Sequence, residues 1–224
     1  MQSKIQVVFF SLESLLVQPA PQPPKAPMGT LFSPLIEKMG PNCSLHLVCG
    51  LTADQASAEI HRQQLDQIIP AENIHWPDRA YLQTKNETDQ RLYEANLENN
   101  PRFIDDYYKQ AAMIKILEQN HFSPEKGLFV GHDLLLHGYY SALFSKIPVV
   151  FIKERFSFNH EPLKQLIPGL AFSRLDSNDL WPFISGKKNA SNFAIIKAHA
   201  TERLKKELLG DSLQKALHAT HKRP

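Results

Sequence analysis

The sequence predicts an α/β fold: a Rossmann-like, doubly wound parallel sheet. Three observations carry this. Short runs rich in β-branched and aromatic residues recur along the chain. Stretches with apolar residues at helical spacing stand between them. The runs are nearly continuous in apolar character, which is how strands covered on both faces read.

The first run, Ile5–Phe10 (IQVVFF), reads as a buried strand. The proline-rich stretch Gln18–Pro27 follows and can be neither helix nor central strand. Ser33-Pro34 reads as an N-cap with Pro at the first helical position, and Gly40 as the stop, so a short helix is expected between them. Leu45–Cys49 (LHLVC) is a second strand. Thr52 and Gln55 form a capping-box pattern opening a helix whose buried face carries Ala56, Ile60, Leu65 and Ile68. The stretch Asn73–Trp76 (NIHW) is a short third strand ended by Pro77, and Tyr81–Asn100 is polar and leaves helix, loop or small insertion open. Asp105–Asn120 is a helix with Tyr108, Ala112, Met113, Ile116 and Leu117 at helical spacing. Three strands are then expected, in GLFVG, IPVVFI and LAFSRL, and Ser177–Ile184 closes the body. Asn192–Leu209 reads as an amphipathic helix stopped by Gly210.

A chain of 224 residues suits one α/β domain, 1–185, with a helical tail, 186–224. The net charge of +2 is uneven. The tail carries nine Lys/Arg against three Asp/Glu, the rest sixteen against twenty, so an acidic body bears a basic tail. No apolar run approaches the length of a membrane span. The N-terminus shows no signal-peptide succession, and the two cysteines, Cys43 and Cys49, form no framework, so a reducing, cytoplasmic setting is expected.

In parallel sheets of this kind ligands sit at the carboxyl ends of the strands. Those ends are Ser11–Glu13, Cys49–Thr52 and Gly131–Asp133. With a lysine ahead of the fourth strand, these places resemble the motifs of the haloacid dehalogenase superfamily. VVFFSLE takes the place of that family's D-x-D strand end, and LHLVCGLT that of its Thr/Ser strand end. The stretch Lys109–Tyr140 is similar to its lysine helix and acidic strand end, and LAFSRLDSNDLWPFI to its closing strand and helix. The resemblance covers about Ile5–Ile184 and implies a fold with little or no cap.

The resemblance implies site positions at Ser11, Glu13, Thr52 and Lys109, with Cys49 and Lys115 as substitutes for the last two, and metal positions at Asp133 and His132. The family's nucleophile and metal ligand is an aspartate where Ser11 stands. A serine hydroxyl needs an activating base, and it is a weak ligand for Mg²⁺. Glu13 is one methylene longer than the family's acid/base aspartate. His132 replaces another carboxylate, and the later acid falls at Leu136 or His137. The expected protein is therefore a degenerate phosphatase-like member, a pseudoenzyme that needs no cofactor and acts by binding a protein or a phosphate-bearing ligand. The alternative is a divergent phosphatase using Glu13, Asp133 and Lys109 with Mg²⁺. A third reading is a zinc or manganese site on His132, Asp133 and His137, against which stands a set of only two or three ligands.

The basic tail suits peripheral contact with an anionic membrane or, better, docking on the domain by its apolar stripe. The tyrosines Tyr107, Tyr108, Tyr139 and Tyr140 are read as packing. Nucleic-acid binding is not expected, since basic and aromatic residues do not interleave. A degenerate site with a basic helical tail also resembles bacterial effectors exported into host cells by a signal-peptide-independent route.

Overall fold

The computed structural model describes residues 5–12, 27–50, 53–76, 101–131, 146–153 and 169–192. Six strands form one parallel sheet in the order β3-β2-β1-β4-β5-β6. They are β1 Val7–Ser11, β2 Ser44–Val48, β3 Ile74–His75, β4 Gly127–Gly131, β5 Val149–Ile152 and β6 Phe172–Ser173. Four α-helices are described: α1 Met28–Met39, α2 Ala53–Arg62, α3 Pro101–Gln119 and α4 Ser177–Ile184. None is long and apolar enough to cross a membrane.

Alternate residues of each strand enter different cores, as a pleat requires. Val8, Phe10, Leu45, Leu47, Leu128 and Val130 join side chains of α1, α2 and α4 on one face. Val7, Phe9, Val48, Phe129 and Phe151 meet Met113, Ile116 and Leu117 of α3 on the other. The winding explains the two faces. The chain steps outward from β1 through β2 to β3, then crosses back to β4 through α3. Right-handed crossovers taken in opposite directions put their helices on opposite sides. The doubly wound sheet expected from the sequence is thus present.

Several boundaries depart from expectation. Helix α1 begins at Met28, not at Ser33, and holds Pro34 in its interior. Its N-cap residue, Pro27, has no side chain that can cap it. Its first amides are satisfied across the fold, Met28 N–H by Gln63 Oε1 at 3.1 Å and Gly29 N–H by the Gln63 carbonyl at 2.9 Å. Ser33, read as a cap, instead donates its hydroxyl to the Gly29 carbonyl at 2.9 Å. Helix α2 stops at Arg62, so Leu65 packs from beyond its end rather than from its face. Gln64 there has φ 55°, its N–H reaches the His61 carbonyl, and the Leu65 N–H reaches that of Ile60. That pair of bonds is the Schellman ending, with glutamine where glycine is usual. The end of α3 repeats it: His121 has φ 55°, and the His121 and Phe122 N–H groups reach the carbonyls of Glu118 and Leu117. α3 also starts earlier than expected, at Pro101. α4 opens on Asp176, whose carboxylate accepts from the Asn178 N–H at 2.7 Å.

The strands expected in IPVVFI and LAFSRL are shorter than read, at Val149–Ile152 and Phe172–Ser173. Beyond α4 the chain returns to the sheet, where Ser191 bridges Val149 in antiparallel fashion. The proline-rich stretch before Pro27, residues 81–100, the place of a cap and the tail from 193 lie outside the described residues.

Candidate functional site

Strands β1 and β4 are neighbours, yet the chain leaves β1 towards β2 and enters β4 from β3. The strand order thus reverses between them, a topological switch point. In open α/β sheets ligands bind in the crevice outside the carboxyl ends of the strands at such a point. Ser11 closes β1 and Gly131 closes β4 at this switch point. Ser11 is 0 % exposed, and Cys49, just past β2, is 1 % exposed.

Helix α3 brings a cation towards the same end of the sheet. It runs antiparallel to the strands, because β4 follows it and is parallel to β1. Lys109 stands ten residues before Gln119, a rise of roughly 15 Å, about the length of a five-residue strand. Lys109 therefore lies towards the strand-tip end of α3. It is 4 % exposed, an unusual burial for a lysine. Both Ser11 and Lys109 have interaction partners. Lys115, the substitute for Lys109, lies six residues further along the helix and lowers the pKa of His75, whose register partner Val48 pairs with Ser11.

Of the other expected site residues, Glu13, Thr52, His132 and Asp133 lie outside the described residues, as do Leu136, His137, Tyr139 and Tyr140. The side chains of Tyr107 and Tyr108 fall outside them too. Among the described residues no group of three or more His, Cys, Asp or Glu is placed to hold a metal ion.

Sequence reasoning missed a histidine pair. His46 Nδ1 and His75 Nε2 are 2.9 Å apart, and His46 Nε2 is 2.9 Å from Ser44 Oγ. The rings stack with centroids 5.1 Å apart. Burial and then the neighbouring His75 bring His46 down to about 4 from an ordinary 6.5, and burial and then Lys115 bring His75 to about 4. Both rings are neutral at pH 7. One signal was available: each is the polar residue in the middle of a short strand segment, LHLVC and NIHW.

Searches for relatives return no matching family model, no matching curated protein and no matching solved structure.

Proposed function

We propose that this chain is a haloacid dehalogenase-like protein with a degenerate phosphotransfer site, and that it acts by binding a phosphate-bearing ligand at the strand tips. The observation that supports this reading is Ser11, a wholly buried serine at the end of β1 on the switch-point crevice. A carboxylate there would attack phosphorus and hold Mg²⁺; a hydroxyl does neither unaided. Lys109, buried towards the strand-tip end of α3, supplies the positive charge that an anion needs when it leaves water. Binding without turnover is what remains when the cation is kept and the nucleophile is not.

The test is phosphate-ester hydrolysis by the full chain with Mg²⁺, with Mn²⁺ and with chelator, beside a Glu13→Ala variant. The expected result is no turnover above that variant. Metal-dependent turnover that falls about tenfold in Glu13→Ala, about 1.4 kcal/mol of transition-state stabilisation, would overturn the reading. In parallel, inorganic phosphate is titrated against the wild type and Lys109→Met. Binding that Lys109→Met weakens about tenfold or more supports the anion site, since a charge-assisted contact is worth at least that much.

A further inference from the structure

Gln110 follows Lys109 on α3 and is 2 % exposed. Its Oε1 is fully buried and, among the described residues, has no hydrogen-bond partner. Buried polar atoms are nearly always paired, by protein, water or ligand. An orphan acceptor inside the protein costs free energy and persists where something else repays the cost.

The helix geometry shows where this atom sits. Gln110, Ile114 and Leu117 share one flank of α3, at spacings of four and seven. Ala112 and Lys115 share the opposite flank, and Lys115 is close enough to His75 of β3 to lower its pKa. That flank is therefore turned to the β2–β3 edge, and the flank of Gln110 is turned to β1 and β4. Gln110 is next to Lys109 and more than a turn nearer the strand-tip end of α3 than Lys115, which acts on His75, itself level with Ser11 across the sheet.

We propose that Gln110 contacts the ligand at the β1–β4 crevice, its Oε1 accepting a hydrogen bond from a hydroxyl or N–H of the molecule bound there. This rests on the anion-site reading and narrows it. The ligand carries a phosphate for Lys109 and, beside it, a hydrogen-bond donor for Gln110. A phosphorylated polyol or amino compound meets that description; a simple alkyl phosphate does not.

The test compares three probes on the full-length protein: inorganic phosphate, methyl phosphate and glycerol 3-phosphate. In Gln110→Leu, glycerol 3-phosphate is expected to lose roughly fivefold or more in affinity, the loss of one hydrogen bond, while the other two stay within about twofold. Equal weakening of all three would make Gln110 a general support of the site and overturn the proposal. No change for any probe would overturn it while leaving the anion site standing. Failure of the wild type to bind any probe would overturn the anion site and the proposal together. Unfolding of the ligand-free proteins gives a second readout. Gln110→Leu removes an unsatisfied acceptor, so its Tm should equal or exceed that of the wild type. A clear fall in Tm would mean that the amide has a structural partner, and would also overturn the proposal.

Discussion

His46 and His75 meet nitrogen to nitrogen across the β2–β3 edge, 2.9 Å apart, so a single proton lies between them. Either ring can donate it, and Ser44 adjusts at the far nitrogen of His46 because its hydroxyl both donates and accepts. One added proton still leaves a donor facing an acceptor. Two would set N–H against N–H. The pair is therefore built to be neutral, and burial with Lys115 nearby enforces it.

Stability should consequently fall in mild acid. In the unfolded chain both rings take up protons as the pH drops through 6.5, whereas in the folded protein they do so only near 4. Between these values the unfolded state binds more protons, so stability is full above about 6.5 and declines as pH falls towards about 4. The loss should be on the order of 2 kcal/mol for the pair, allowing for solvent screening. Urea midpoints at pH 7, 5.5 and 4.5 measure it. A His46→Leu/His75→Leu double variant should show a flatter profile; an equally steep one would assign the slope to carboxylates.

Gly29→Ala should loosen α1. A Cβ at Gly29 would stand 2.7 Å from the Gln64 carbonyl oxygen, a backbone atom that cannot swing aside. Helix α1 must back away from the turn after α2, and its first amides then lose Gln63. We expect a cost of about 1–3 kcal/mol in urea denaturation. An unchanged midpoint would show that the contact yields freely.

Gln64→Gly and His121→Gly should each stabilise. Both positions hold a left-handed backbone, φ 55°, that glycine adopts without strain. Each change should add about 0.5–1 kcal/mol, or roughly 1–4 °C in Tm for a chain of this size. Differential scanning calorimetry decides it, and a lower Tm would mean that the lost side chains mattered more than the relieved backbone.

Cys43 should be inert in the folded protein. Burial pushes its thiol up to about 12, leaving almost no thiolate at neutral pH. A thiol reagent at pH 8 should label it only after urea is added, and Cys49, 1 % exposed, should follow. Rapid labelling without denaturant would show that the core opens locally.

The sheet was legible in the sequence because its signal is local. IQVVFF, LHLVC and GLFVG can be little else, and the sequential winding that gives parallel strands follows from the helices between them. The helix ends were less legible because long-range partners set them. Ser33-Pro34 carries the grammar of a helix start, but Gln63 satisfies amides five residues earlier. Glutamine and histidine end α2 and α3 where glycine would have been the visible sign. At the proposed site, Ser11 and Lys109 were singled out by a family resemblance. Gln110 matches no pattern, and only the packing around it gives it meaning.

Strand β1 pairs with β2 over all five residues and with β4 over Val7–Phe10, and no residue in it is more than 1 % exposed, Val7 included. The outer strands β3 and β6 pair over two residues each. Amide hydrogen exchange should therefore be slowest at Val8–Phe10 and quickest at the sheet margins, where local opening needs the fewest broken contacts. The Ser11 end of the crevice thus rests on the part of the molecule that opens last. A ligand bound there as proposed would meet a wall already rigid, and little of its affinity would be lost to ordering the protein around it.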